Sequence, residues 1–333
     1  MKHRAVHGLY FFEIFILINF TIILLLLRRI TDAPLRTLPL VLTKMAGSFA
    51  LQTAAGVAIR AIVAWRKGTI REYAKILRSP QWLTDTARIV FFTALTIHTY
   101  SWIKLSMPLL HPRLFDQELW NIDRAIFFGY SPNIFFLDLF SNRAVLRFFD
   151  FSYANVFVAS ISLAGVYFAS APSRRLRIAF MDSNTVMWVL GAWLYLLIPS
   201  LGPAYRFPDV WLPLASVLGH TQELQRILMV NYQSVLRYLR GEAAPLNVLY
   251  GIAAFPSLHV GFETLLYLWM RRLWRPGQLL FAIFFVIIFL GSIITGWHYL
   301  IDSIAGVVLA WICYTLAAGG HRIDRWLAIR RAL

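Results

Sequence analysis

The chain has 333 residues, of which 59% are hydrophobic and 14% are charged, and its mean hydropathy is +0.62. Soluble domains rarely reach such values, so the composition excludes an ordinary soluble protein and predicts an integral membrane protein with one membrane-embedded domain. The formal net charge is +16. Because many basic residues lie at the ends of apolar runs, membrane topology and anionic lipid head groups explain this charge better than nucleic-acid binding does.

Eight apolar runs approach the ~20 residues that a helix needs to cross the hydrocarbon core of a bilayer. In chain order the candidate spans are about 8–27, 37–64, 86–110, 148–171, 178–199, 256–272, 277–296 and 298–318. The first run follows a short basic tail without a small-residue cleavage site, which predicts an anchor rather than a removed signal. The second run is the weakest candidate, because it contains Lys44 and Arg60.

Two long connections differ from simple spans. Residues 111–147 mix aromatic with charged residues, and residues 200–246 contain four prolines. Interfacial helices and re-entrant loops on one side of the membrane are expected there. Within the first connection, Asp123 to Gly129 predicts an interfacial helix that Gly129 ends, with a substrate role for Asp123 as the less favoured alternative.

The distribution of basic residues predicts the orientation. The loops near Arg174 and Arg271, the segment 65–88 and the tail 321–333 all carry several lysines or arginines, and alternation of eight spans puts them on one face. That face should be cytoplasmic and should carry both termini. The loop between the seventh and eighth spans has neither lysine nor arginine, so we expect it to face the periplasm, the exterior or an organelle lumen. The two arginines after the first span depart from this pattern.

The fragment Phe255–His259 starts the sixth span. Pro256 disfavours a helical conformation at the residue before it and suits the first turn of a new helix. Ser257 and His259 then lie in that turn, whose free N–H groups would favour a bound anion. Glu263, one turn further on, could orient His259 or pair with a basic residue.

The fragment Trp297–Asp302 starts the eighth span. His298 and Asp302 are four residues apart, so on a helix they share a face. The sixth span runs toward the cytoplasm and the seventh returns. His259 and His298 are therefore both predicted at the non-cytoplasmic end.

An imidazole beside a carboxylate is oriented and made more basic, and a second imidazole can donate a proton to a leaving group. The pattern thus favours nucleophilic phosphoryl-transfer chemistry inside a membrane. Three alternatives are weaker. The histidines could be packing residues, as an isolated His98 could be, although intramembrane ionisable groups are costly. They could bind zinc or iron with Asp302, but no further close-spaced ligand cluster is visible. Ser257 as nucleophile lacks a strand-to-helix elbow pattern.

Phe255–His259 and His298–Gly306 resemble the second and third signatures of the type 2 phosphatidic acid phosphatase superfamily. Leu258 stands between the serine and the histidine, as in the inositol phosphorylceramide synthase-like branch, which is the closer match. The resemblance covers about residues 120–310. It implies an all-α integral membrane protein with a six-helix transmembrane core, here with about two extra N-terminal spans and interfacial helices. The expected division is an N-terminal transmembrane hairpin (1–84), a catalytic transmembrane domain (85–320) and a basic interfacial tail (321–333).

The resemblance also implies roles for the motif residues. His298 matches the nucleophile that forms a phosphohistidine, Asp302 the supporting aspartate, and His259 the histidine that protonates the leaving oxygen. The covalent step would need no metal and no organic cofactor. The expected partners are a membrane phospholipid or other lipid phosphate donor and a lipid or polyol acceptor, and no nucleic acid.

Two departures from the phosphatase pattern matter. The lysine-rich first signature has no convincing match, and Gly291 and Ser292 occupy the Ser-Arg positions that begin the third. The usual phosphate-binding arginine is therefore absent, and another cation must offset the phosphate charge. Arg206 is the candidate, with Tyr205 as a hydrogen-bond donor, and the alternative for both is an interfacial aromatic–basic anchor.

These departures favour a lipid phosphotransferase that moves a phosphoryl-headgroup through His298 to a lipid or alcohol. The main alternative is a lipid phosphate phosphatase of the phosphatidic acid or polyprenyl phosphate type, in which water is the acceptor. A lipid-binding or transport protein whose polar residues line a pathway is the non-enzyme alternative.

Overall fold

The computed structural model describes residues 8–320, which are 79% helical and contain no strand. The predicted tail 321–333 lies outside the described residues. The helices are α1 (Phe11–Leu27), α2 (Ala33–Arg66), α3 (Ile70–Leu77), α4 (Pro80–Leu110), α5 (Asp116–Ile126), α6 (Pro132–Leu139), α7 (Arg143–Ala164, continued by a π-helical turn at Gly165–Ala169), α8 (Arg174–Leu197), α9 (Pro203–Arg206), α10 (Pro208–Trp211, continued by a 3₁₀ turn at Leu212–Leu214), α11 (Gly219–Leu239), α12 (Leu258–Leu273), α13 (Arg275–Ile294) and α14 (Leu300–Gly320).

Polar residues cap several of these helices where the sequence changes from loop to apolar run. The Ser79 hydroxyl accepts from the Trp82 amide at the start of α4, and Ser173 and Ser257 cap α8 and α12 in the same way. A cap of this kind satisfies one of the amides that the first helical turn leaves free. The sixth apolar run therefore begins its helix at Leu258, two residues after the predicted Pro256.

Four helices are long and apolar enough to cross a membrane by length and composition: Ala33–Arg66, Arg143–Ala169, Arg275–Ile294 and Leu300–Gly319. The prediction of a helical membrane protein is thus confirmed, and the count of eight spans stays a prediction. In the bundle, α12 packs against α8, α13 and α14, and α4 packs against α8. The first two helices pack on α4, at one side of this group.

The crossing of α12 and α14 is unusually close. A Cβ on Gly306 would lie 2.2 Å from the Ser257 carbonyl oxygen, and one on Gly261 would lie 3.0 Å from the Gly306 oxygen. Small residues let two membrane helices approach to backbone contact. This contact brings the first turns of α12 and α14 together, which are the turns beside the two motif histidines.

Candidate active site

His259 and His298 face one another at the end of the bundle where α12 and α14 begin. Their ring centroids are 5.8 Å apart. Both side chains line a cavity of about 480 Å³ enclosed chiefly by α4, α7 and α8. The His259 ring also packs edge-on against Phe157 of α7, with centroids 4.2 Å apart. The two histidines that the sequence singles out are therefore neighbours with access to one space.

Asp302 holds His298 from behind. One Asp302 carboxylate oxygen lies 3.4 Å from His298 Nδ1 and accepts a 2.8 Å hydrogen bond from the Tyr299 amide. The backbone carbonyl of Asp302 accepts from the Ser257 amide at 2.9 Å, which ties α14 to the start of α12. A carboxylate on Nδ1 fixes the ring orientation and directs Nε2 away from the carboxylate.

Burial lowers the pKa of His298 to about 3, and the nearby charge of Lys104 lowers it further, while a backbone contact with Ala254 acts in the opposite direction. His298 lies between α13 and α14, and its side chain is almost completely buried. A neutral imidazole has a free lone pair, which a nucleophile requires. The direction of this shift favours the neutral form that a nucleophile needs.

Helices α5 and α6 hold the loop that carries His298. The Asp123 carboxylate accepts from the amides of Leu300 and Ile301 at 2.6 and 2.8 Å, so it caps α14 from another helix. The Asn133 side chain donates to the carbonyl of His298 at 3.0 Å and to that of Ile293 at 2.8 Å. These contacts fix both ends of the segment between α13 and α14.

Asp116 makes a second set of contacts from the start of α5. Its carboxylate accepts from the amides of Leu201 and Gly202 and, at 2.9 Å, from the Tyr299 hydroxyl. Burial raises its pKa, although the two backbone hydrogen bonds lower it. Burial also raises the pKa of Asp123 to about 7, against its two backbone hydrogen bonds, and the charge of Asp302 adds to the rise. Residues 111–147, whose role the sequence leaves open, thus supply the polar framework of the site.

Lys104 is the cation that the structure brings to the histidines. It lines the same cavity, and its charge lowers the pKa of His298. Its ammonium group lies 3.3 Å from the Tyr100 hydroxyl and 5.4 Å from the centre of the Tyr195 ring. No carboxylate of the described residues pairs with it. Sequence reasoning missed Lys104, because it lies in the middle of an apolar run; an isolated lysine within a predicted span was the available signal.

Arg206 and Tyr205, the residues predicted to bind the phosphate, do not line this cavity. Arg206 is exposed, does not line the cavity, and stacks 5.4 Å from the centre of the Phe207 ring. The Tyr205 hydroxyl donates to the Gln225 carbonyl at 3.2 Å, and its ring lies 6.3 Å from that of Trp297. The structure thus puts both residues close to the site without bringing either into the cavity wall.

Ser257 and Glu263 are fully buried and also stay out of the cavity wall. The Ser257 hydroxyl caps α12, accepting from the Val260 amide at 3.4 Å. Both carboxylate oxygens of Glu263 lack a hydrogen-bond partner among the described residues, and Ser160 of α7 lies nearby. Within residues 8–320, the His, Cys, Asp and Glu side chains form no group of three or more that could hold a metal ion.

Two facing histidines and a supporting aspartate in a helical bundle provide the groups that phosphoryl transfer through a histidine requires. The PAP2 superfamily model matches residues 117–316, and the chain belongs to this superfamily. No curated protein and no solved structure matched the chain. The matched segment runs from α5 to α14 and includes both histidine motifs.

Proposed function

We propose that this PAP2-superfamily member is a lipid phosphotransferase that moves a phosphoryl-headgroup from a lipid donor to a lipid or alcohol acceptor. The observation that carries the proposal is the pair of imidazoles 5.8 Å apart in one cavity, with Asp302 behind one of them. His298 is the nucleophile, and His259 is the general acid and base.

The reaction would proceed in two displacements. A lone pair of His298 attacks phosphorus, the bond from phosphorus to the leaving oxygen breaks, and protonated His259 gives its proton to that oxygen. The acceptor hydroxyl then gives its proton to His259, its oxygen attacks phosphorus, and the phosphorus–nitrogen bond breaks. Both histidines return to their starting forms.

Lys104 is proposed to neutralise the phosphate. It is half-buried, lines the cavity and has no carboxylate partner among the described residues, so its charge is available to an anion. In a site that excludes water, such a charge stabilises the developing oxyanion far more than it would in bulk solvent. Lys104 would therefore replace the arginine that Gly291 and Ser292 do not supply.

The apolar side chains around the site support transfer to an acceptor hydroxyl rather than hydrolysis. Leu201, Leu224, Leu228 and Leu249 line the cavity at its His298 end. Apolar side chains limit water near the phosphohistidine, so an acceptor hydroxyl held in place has the advantage. Together with Leu258 and the missing arginine, this favours the inositol phosphorylceramide synthase-like branch within the superfamily. The alternative function is a lipid phosphate phosphatase.

The products distinguish the two functions. Purified protein is incubated with a panel of phospholipids labelled in the headgroup phosphate, with and without lipid and polyol acceptors. A transferase yields labelled acceptor, whereas a phosphatase yields free inorganic phosphate whatever acceptor is added. If neither product forms with any donor, the lipid-binding or transport alternative is favoured.

A further inference from the structure

The cavity beside the histidines extends far toward the opposite end of the bundle. Its wall reaches from Lys104 to Ile89 on α4 and from Trp188 to Arg177 on α8. With a rise of 1.5 Å per residue, these stretches correspond to roughly 22 Å and 16 Å. Most of the wall between the ends is apolar or aromatic, as a lipid chain requires.

Arg177 is the exception at the far end of this cavity. Its side chain is 1% exposed, and one guanidinium nitrogen donates to the Thr86 hydroxyl at 2.6 Å. The other two nitrogens, Nε and Nη1, have no hydrogen-bond partner among the described residues. The guanidinium also lies 4.8 Å from the centre of the Trp82 ring. A buried cation with free donors is costly unless an anion or another acceptor occupies the space in front of it.

Asp85, the carboxylate whose charge acts on Arg177, is already engaged. The Asp85 carboxylate pairs with Arg174 at 3.0 Å and accepts a hydrogen bond from the Tyr10 hydroxyl. No carboxylate of residues 8–320 lies within ion-pair distance of Arg177. The free donors of Arg177 therefore belong to the cavity and not to an internal salt bridge.

The cavity wall also includes a residue that is exposed at the outside of the bundle. Thr93 and Ile97 of α4 and Val158 of α7 line the cavity, and the Val158 side chain is 62% exposed. An amphiphile in the membrane could thus reach the cavity beside Val158.

We propose that Arg177 forms a second binding site, which takes the oxyanion head group of an amphiphile whose chain lies in the cavity. A substrate whose phosphate lies at Lys104 would leave only a methyl terminus beside the guanidinium of Arg177. An oxyanion entering from the opposite end instead gives Nε and Nη1 an acceptor, and its chain fills the apolar middle. This site is separate from the proposed chemistry and does not depend on it.

Photolabelling of the full-length protein tests the proposal. The probe is a long-chain fatty acid with a diazirine close to its carboxylate, and the control probe is its uncharged methyl ester. The acid should label the segments around Arg177 about tenfold more than the ester, as expected for a charge-assisted hydrogen bond. Equal labelling by acid and ester would overturn the proposal, and this comparison needs no variant.

Two variants and two competitors complete the test. Arg177→Gln should lose the preferential labelling, whereas Arg175→Gln, exposed half a turn earlier on α8, should keep it. Unlabelled fatty acid should displace the probe and inorganic phosphate should not. Retained labelling in Arg177→Gln, or equally efficient displacement by inorganic phosphate, would contradict a head-group site for an amphiphile.

Discussion

At the residue scale, His298 and the carboxylate of Asp302 carry the proposed chemistry. His298→Ala removes the nucleophile and should abolish turnover without changing the size of the purified protein. Asp302→Asn should lower kcat severely, by up to ~10⁴-fold if Asp302 orients its histidine as the aspartate of a protease triad does. Steady-state kinetics with the donor lipid measure both effects. The matched control is His220→Ala, an exposed histidine at the start of α11, which should keep full activity.

Lys104 and Arg206 are competing candidates for the phosphate cation, and paired substitutions decide between them. Because Lys104 lines the cavity and Arg206 does not, Lys104→Met should lower kcat/KM by roughly 10²-fold or more, in the range seen when one oxyanion donor is removed. Arg206→Met should change it little, and Lys104→Arg should restore part of the loss. A large loss in Arg206→Met with normal activity in Lys104→Met would return the role to Arg206.

His259 can be tested through the leaving group. A general acid matters most when the departing alcohol is poorly acidic. His259→Ala should therefore slow the first displacement strongly with a lipid alkyl phosphoester, and only weakly with an activated nitrophenyl ester. The rate of the first turnover with each substrate gives the comparison. Equal losses with the two substrates would instead assign His259 to positioning the phosphate or to packing.

The sequence predicts the three motif residues because their spacing is local: four residues join His298 to Asp302, and Pro256 marks the helix start near His259. It does not predict Lys104, which lies 155 positions before His259 and 194 positions before His298. That lysine reaches the histidines because α4, α12 and α14 all pack against α8. Tyr205 and Arg206 show the reverse. The sequence predicts them at the site, but the Tyr205 hydroxyl donates to the Gln225 carbonyl and the Arg206 guanidinium lies over the Phe207 ring.

At the element scale, α5 and α6 form the framework that holds the segment between α13 and α14. Asp123 caps the first turn of α14, and loss of such a cap typically costs ~1 kcal/mol of stability. Asp123→Ala should also shift His298, and should lower kcat more than it changes KM, because Asp123 is outside the cavity wall. Asp138→Ala on α6, an exposed acidic residue, is the control. An unchanged kcat in Asp123→Ala would show that the cap does not position the nucleophile.

The raised pKa of Asp123 gives this element a pH signature. The folded pKa, about 7, is above the ordinary value of 3.8, so the folded state holds its proton more tightly than the unfolded state does. The corresponding stability is complete below pH ~4 and is lost as the pH rises through about 7. The melting temperature of the native protein should fall over this window relative to that of Asp123→Asn, measured in the same detergent. A constant difference between the two proteins would contradict the raised pKa.

The framework could be predicted only in outline. The sequence predicts an interfacial helix over Asp123–Gly129 that Gly129 ends. In the structure, α5 begins earlier, at Asp116, and ends at Ile126, and Gly129 has a positive φ in the turn that follows. The partners of Asp116, Asp123 and Asn133 lie between about 85 and 180 residues away. Contacts at such separations depend on how the helices assemble, and local pattern does not carry that information.

At the scale of the whole molecule, basic residues lie at both ends of the bundle, because the connections 111–147 and 200–246 on the catalytic side also carry arginines. The starts of α8 and α13 carry arginines, and the alternation of helices puts them opposite His298. Labelling with an impermeant thiol reagent tests this polarity, since the only native cysteine, Cys313, is buried. Ser141→Cys, exposed beside α7 at the catalytic end, should react from outside the cell or from the lumen. Arg175→Cys should react only from the cytoplasm.

These positions suit labelling better than the loop beside His298 itself. Gly296 has a positive φ, and a Cβ there would lie 2.6 Å from the Trp211 ring, so a cysteine would strain the site. Reaction of Ser141→Cys only from the cytoplasm would reverse the proposed topology. The sequence predicts the orientation from basic residues, whereas the depth of the cavity emerges only from the assembled helices.

The most direct measurement is the isolation of the covalent intermediate. Native protein is mixed rapidly with a donor lipid radiolabelled at phosphorus, quenched, and mapped by peptide mass spectrometry. The label should be on His298, and His298→Ala should acquire none. Adding acceptor should discharge the label into the product. Turnover without any phosphorylated histidine, or a label that persists in His298→Ala, would contradict the mechanism.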